Sequence, residues 1–406
     1  MARKTLQATF LILIAGMGLR GAEAPRPLTL ASALELAEKQ NLDLAAARRR
    51  RAISLAGIQI ARQRPNPTAN FSALRDSPHE AVFFTQPLEL GSKRQRRIDV
   101  AQQEGALTEA DIAALGRQVR RSTREAYFTA LLAHEETLRL SRVLQLAQRL
   151  EEIARQRFEA GDVAQLEVIQ AELGASRALA DRQVAQQRER VAMAQFNALL
   201  NEPPATEWEL SGHLSDQPSV LSLADLQERA RQANPELQRL AQEQKIEQSR
   251  RALLKAERIP NLDLELGTDF NAPPDFRVGP RGQVSMELPL FKRNQGEIAQ
   301  SLASQSVLEG ELAATARAVN GRVEAAYFGL QAQQTQVELY RDKLMPVARQ
   351  LEGLAEESYR AGKVGILAVV ESQRNVQDTE SSYLDSLFAL QSQFAALEEM
   401  VGVPLD

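Results

Sequence analysis

Cysteine is absent from all 406 residues. That excludes disulfide staples, thiolate metal ligands and an N-terminal cysteine able to carry a lipid. Histidine is scarce: His79, His134 and His213 are scattered and form no H-x-x-x-H pair, so no metal-ligand spacing exists and no resident metal or cofactor is expected. Aromatic residues are 5% of the chain, thin for a globular core. Beyond the N-terminus no apolar run approaches the roughly 20 residues a membrane helix needs. There is no glycine-rich phosphate loop and no nucleophile–base set in catalytic context, so an enzyme is not expected.

What the chain does have is an export signal, a helical composition and a duplication. Arg3 and Lys4 precede a short apolar stretch from Thr5 to Leu19, and Ala22-Glu23-Ala24 fits a small-x-small cleavage site, so residues 1–24 are expected to be a removed signal peptide. Its removal moves the formal net charge from −4 to −6, which argues against nucleic acid as a partner. Hydrophobic residues are 44% and charged residues 25%, and Ala, Leu, Gln, Glu and Arg dominate, as in long helices.

The duplication spans the mature chain. Ala126-Tyr127-Phe128 recurs as Ala326-Tyr327-Phe328, and Phe158 to Val163 (FEAGDV) recurs as Tyr359 to Val364 (YRAGKV). Asn41 has its counterpart in Asn234, and Pro203 in Pro404. A period near 200 residues is too long for a solenoid and reads as two copies of one half. The first repeat is set at residues 25–204, a linker at 205–222 and the second repeat at 223–406.

Each repeat has the same order. A helix runs from Leu30 to about Arg64, and from Leu223 to about Arg258, behind the N-cap residues Thr29 and Ser222. The breaks Pro65-Asn66-Pro67 and Pro260-Asn261 follow. Then come two short segments of period 2. Leu262, Leu264 and Leu266 alternate with Asp263, Glu265 and Gly267, and Val284 to Leu290 alternates likewise; Thr68 to Ala73 repeats the pattern, whereas Val82-Phe83-Phe84 is less regular. Loops are expected at Arg75–Glu80 and Asn271–Arg281. Long helices are predicted over about Gln95–Ala160 and Gln295–Ala361, each roughly 100 Å. After Gly161 and Gly362 a second helix of about 40 residues returns to Leu200 and Met400.

Four amphipathic strands of membrane length cannot close a barrel, and an open edge in lipid is not viable, so membrane-spanning strands require oligomerisation. Two copies give eight strands and a filled interior; three give twelve and room for a water-filled lumen. The polar strand face would line the lumen and the leucine face would meet lipid. Helices of this length must complete their packing as a coiled coil with neighbouring protomers.

The duplicated order, together with Phe84–Arg94 (FTQPLELGSKR), Leu288–Ile298 (LPLFKRNQGEI) and the segments Arg157–Glu172 and Tyr359–Gln373, resembles the outer-membrane efflux duct (TolC) family, and within it the CzcC-like heavy-metal branch. The resemblance covers essentially the mature chain. It implies a mainly α fold with a small membrane β part: a trimeric 12-stranded β-barrel, four strands per chain, continued by a long periplasmic α-helical coiled-coil barrel. It implies a homotrimer in outer-membrane lipid, a periplasmic adaptor (membrane fusion) protein and an inner-membrane pump of the RND type, with heavy-metal cations as cargo. A multidrug duct is the alternative, and a periplasmic coiled-coil scaffold the more distant one. The chain departs from many relatives in lacking a lipidated cysteine.

The resemblance also assigns residues. Gly161 and Gly362 mark hairpin tips where an adaptor docks, flanked by Arg157, Leu166, Val168, Leu367 and Val369; as plain sequence the glycines are helix C-caps. Ser358 stands where Arg157 has its counterpart, so the tips are not chemically equal. Glu371 matches an acidic position that narrows the periplasmic entrance, with Glu167 and Asp162 as weaker gate candidates; three copies would form a carboxylate ring favouring cations. Lys93, Arg94, Lys292 and Arg293 follow the returning strands and are candidates to snorkel toward lipid phosphates. Arg48 to Arg51 read as a solvated helix face.

Overall fold

The computed structural model describes residues 26–214, 221–272 and 274–405. The expected signal peptide lies outside the described residues. The described chain is mainly helical, with six strands in two sheets.

The first repeat begins with β1 (Arg26–Thr29), α1 (Leu30–Gln40) and α2 (Leu42–Arg62). Two strands follow, β2 (Thr68–Ala73) and β3 (Glu80–Leu88), then the 67-residue α3 (Lys93–Glu159) and α4 (Gln165–Leu199). The strand β4 (Trp208–Ser211) lies between the repeats. The second repeat contains α5 (Leu223–Ala233), α6 (Pro235–Ala256), β5 (Leu262–Ala272), β6 (Phe276–Met286), α7 (Gln295–Leu339), α8 (Met345–Arg360) and α9 (Ile366–Val401). The long helices set the scale: 67 residues at 1.5 Å rise span about 100 Å.

The helix read as continuous from Leu30 is two helices, and so is its counterpart from Leu223. Asn41 and Asn234 cause the breaks. The Asn41 side-chain oxygen accepts the Leu44 amide at 3.0 Å, capping α2, while its amide donates to the Leu199 carbonyl at 3.1 Å at the end of α4. Asn234 accepts the amides of Glu236 and Leu237, and donates to the Met400 carbonyl at 2.7 Å near the end of α9. Each asparagine thus starts one helix and satisfies an orphan carbonyl at the end of another. The duplicated asparagine is therefore a joint between the first helices of each repeat and the end of its last one. The long helix of the second repeat is also interrupted: Tyr340–Leu344 forms one π turn between α7 and α8, ahead of Pro346.

The larger sheet is antiparallel in the order β2-β3-β5-β6, so the two repeats join through β3 and β5. Directly opposed residues share a face. The register puts Phe71, Val82 and Thr268 in one row and Phe84, Leu266 and Gly282 in another, on the face that also carries Leu264, Val278 and Val284. The opposite face carries Asn70, Thr85, Glu265, Asp269, Arg281 and Gln283. On that polar face Arg281 pairs with Glu265 at 3.0 Å and Asp269 at 3.5 Å, and its guanidinium lies 4.9 Å from the Phe83 ring centre. Phe83 in turn lies over Gly267, where a Cβ would meet Phe83 Cβ at 2.5 Å. This explains the irregular Val82-Phe83-Phe84 pattern: Phe83 faces the polar side and covers a glycine.

The expected Asn271–Arg281 loop is mostly strand. β5 runs to Ala272 and β6 begins at Phe276, and Pro280 sits in β6, an edge strand where a missing N–H is tolerated. The smaller sheet was not foreseen. β1 and β4 pair in parallel, and the Tyr127 hydroxyl on α3 lies 2.5 Å from the Ser211 carbonyl and 3.2 Å from that of Leu28.

The main core lies at this level, where Tyr127, Phe128 and Phe196 meet Leu390, Phe394 and Leu397. The duplicated Tyr-Phe pair is unequal there. Phe128 is 6% exposed, whereas Phe328 on α7 is 53% exposed. α3 is the central helix, packed by α2, α4, α6 and α9; α7 packs on α6 and α9. The helical layer therefore starts at α2 and α4 and ends at α7 and α8. Both margins carry exposed apolar side chains: Ile53, Ile60, Val184 and Val191 on one, Leu302, Val307, Phe328 and Val347 on the other.

Candidate functional site: an open-edged wall and its hairpin tips

Both hairpin tips close by the same backbone device. At the end of α3, Gly161 has φ +83; its amide donates to the Phe158 carbonyl at 3.0 Å, and the Asp162 amide reaches the Arg157 carbonyl at 2.8 Å. At the end of α8, Gly362 has φ +71; its amide donates to Tyr359, and the Lys363 amide to Ser358, each at 2.9 Å. These are paired Schellman closures, and positive φ explains glycine in both.

The tips are held together by a small separate core of Leu150, Ala154, Ala171, Tyr359, Ile366 and Val369. Arg157 belongs to this joint: its guanidinium lies 4.9 Å from the centre of the buried Tyr359 ring. Tyr359 also points its hydroxyl at Glu167, 3.5 Å away, and burial followed by that carboxylate pushes its pKa up. Arg157 thus reaches across from one hairpin to a tyrosine on the other.

Of the residues expected at the tips, Leu166 and Leu367 are exposed, 63% and 67%, and Val168 is half-buried. Val369 is fully buried, so it supports the tip from inside and is not an exposed contact. Asp162 is exposed, and Glu167 is half-buried against Tyr359. Glu371 is exposed on the first turns of α9, with no ion pair among the described residues.

The four basic residues below the strands do not behave alike. Lys93 is 7% exposed and donates to Asn261 at 2.5 Å; burial pushes its pKa down. It cannot reach lipid phosphates, contrary to expectation. Arg94 is half-buried and donates to the Arg62 carbonyl at 2.6 Å, capping α2 instead of snorkelling. Lys292 and Arg293 are exposed; Lys292 lies 3.8 Å from Glu297 and Arg293 donates to the Pro289 carbonyl. The missed partner is Arg97, which pairs with Glu89 and donates to the Gln63 carbonyl, tying strand, linker and helix together.

Among the described residues no helix is long and apolar enough to cross a membrane, and no group of acidic and histidine side chains could hold a metal ion. What the geometry defines is one sector of a wall: a two-faced sheet with bare edges β2 and β6, joined to a helical layer with bare apolar margins.

The family model described as outer membrane efflux protein matches residues 33–202 and 226–403, one match per repeat, and the chain belongs to that family. It is 27% identical over 394 residues to the cobalt-zinc-cadmium resistance protein CzcC of Cupriavidus metallidurans, covering 94% of this chain and 91% of that one. Its fold is similar to that of CusC, with TM-score 0.77 at 15% identity and 92% of each chain covered. It is similar also to the outer membrane protein VceC of Vibrio cholerae, with TM-score 0.74 at 15% identity, over 93% of this chain and 97% of that one.

Proposed function

We propose that this protein is the outer-membrane channel of a tripartite efflux system, a passive trimeric exit duct for heavy-metal cations. The cations are delivered by an inner-membrane pump of the RND type and a periplasmic adaptor. The observation that carries the reading is the four-stranded sheet. It has a largely apolar face, a charged opposite face and two unpaired edge strands. Such a sheet is viable in lipid only when copies close it into a barrel. Three copies give twelve strands with a lumen lined by Glu265, Asp269 and Arg281, and the same rotation brings the α7/α8 margin of one copy onto the α2/α4 margin of the next.

The tips are the adaptor-facing end in this reading. Gly161 and Gly362 present tight turns, Leu166 and Leu367 present matched exposed leucines, and Glu371 contributes to a carboxylate ring at the entrance. Passive transport fits a wall without a nucleotide loop. The metal assignment rests on the likeness to the cobalt-zinc-cadmium resistance protein.

The test is resistance and export in a deletion strain challenged with Co²⁺, Zn²⁺, Cd²⁺, Cu⁺ and several hydrophobic drugs. Sensitivity to metals that complementation reverses is expected. Sensitivity to drugs alone would overturn the cargo and keep the duct.

A further inference from the structure

On α3, Arg117, Arg120, Arg121 and Arg124 follow the spacing i, i+3, i+4, i+7 and so share one face. Three carboxylates meet them. Glu398 binds Arg120 at 2.5 Å and Arg124 at 3.2 Å; Glu125 and Glu399 bind Arg121 at 2.9 and 2.7 Å. Arg117 is left over. Its Nε and Nη2 are buried with no hydrogen-bond partner, and burial depresses its pKa although Glu399 opposes the shift. An arginine cannot relieve this by deprotonating, so Nε and Nη2 stay buried donors without an acceptor.

Arg117 lines a cavity of about 450 Å³ between α1, α2, α3 and the end of α9. That volume is in the range of small-molecule sites. The other arginines of its wall are matched: Arg51 with Glu109 at 2.5 and 2.6 Å, Arg48 with Glu38 at 3.8 Å. Five arginines against four glutamates line it, an excess of one positive charge. The remaining wall is apolar, with Leu34, Leu44 and Ile112.

We propose that this cavity is a binding site for a small organic carboxylate, its carboxylate held by Arg117 and its apolar body packed on Leu34, Leu44 and Ile112. The planar guanidinium fork matches a carboxylate with two donors. A single excess charge favours a monoanion, and the apolar wall favours a carbon skeleton over an inorganic ion.

The test uses purified full-length protein in detergent, melted in rising sodium hexanoate at constant ionic strength, with sodium chloride and hexan-1-ol as comparisons. A saturable rise in melting temperature with hexanoate alone is expected. It should vanish in Arg117→Leu and Arg117→Gln and persist in Arg349→Gln, a surface pair with Glu380 far along the chain. Without hexanoate, Arg117→Leu should melt no lower than the parent, since it removes two buried donors that have no acceptor. No saturable rise in the parent, an equal rise in both Arg117 variants, or an equal rise with hexan-1-ol would overturn the site.

Discussion

Gly402 and Gly161 adopt nearly the same backbone, φ +88 and +83, but their surroundings differ. A Cβ at Gly161 would meet nothing within 4 Å, whereas one at Gly402 would meet the Ala233 carbonyl oxygen at 2.1 Å and the Asn234 amide nitrogen at 3.2 Å. Gly161→Ala therefore costs only the left-handed backbone, about 1–2 kcal/mol. Gly402→Ala costs that and must also push the α5–α6 junction away. The junction is where Asn234 caps α6 and holds the Met400 carbonyl. Loss of the bond to Met400 adds about 1 kcal/mol, and a damaged N-cap about 1 kcal/mol more. Gly402→Ala is thus expected to cost roughly 3–4 kcal/mol, at least twice the cost of Gly161→Ala. Thermal melts of the two variants followed by circular dichroism provide the comparison. Equal losses of melting temperature would refute the reasoning, because backbone strain alone would then account for both.

Three further outcomes are expected. Glu352 on α8 has a raised pKa, first from burial and then from Glu380 and Glu356, with Arg349 opposing. A carboxyl raised in the folded state stabilises most below its unfolded pKa and loses that contribution as pH rises through the folded value. Glu352→Gln should therefore melt higher than the parent at neutral pH and equal to it near pH 4 and below, about the unfolded carboxylate range, read by melting across pH; no difference at neutral pH would count against it. Glu371→Ala should raise passive conductance and weaken cation preference in planar bilayers, and unchanged values would remove Glu371 from the entrance ring. Gly362→Pro cannot keep φ +71 or the amide bond to Tyr359, and should leave the assembly intact by native gel while abolishing export; normal export would dismiss adaptor docking at that tip.

The repeats, the long helices, the glycine tips and the two-faced strands were legible because each rests on local chemistry: period 2, period 3.6, or a glycine closing a helix. Features set by distant partners were not. Asn41 and Asn234 were visible as duplicates, but their joint needs carbonyls 158 and 166 residues away. The β1–β4 ladder is four residues per strand and joins the start of the chain to its middle, so no period had room to develop. Gly279-Pro280 reads as a turn, yet lies in an edge strand. Gly161 and Gly362 close their helices as the sequence suggests, but the burial of Val369 and Lys93 required packing: an apolar residue beside a tip and a lysine beside a strand both proved buried. The arginine face of α3 was present in the sequence as Arg117, Arg120, Arg121 and Arg124. Its surplus charge emerges only once Glu398 and Glu399 arrive from α9.

Closure of the wall by neighbouring copies is tested most directly by cross-linking, and the chain has no cysteine to interfere. Single cysteines along β2, at Ala69, Phe71 and Ala73, are combined one at a time with cysteines along β6, at Val278, Val284 and Met286, and oxidised in outer membranes. Closure predicts that pairs in register yield dimers and trimers on denaturing gels, and no larger ladder, while each single variant stays monomeric. Only monomers from every pair, or a ladder extending past the trimer, would contradict a closed three-copy duct.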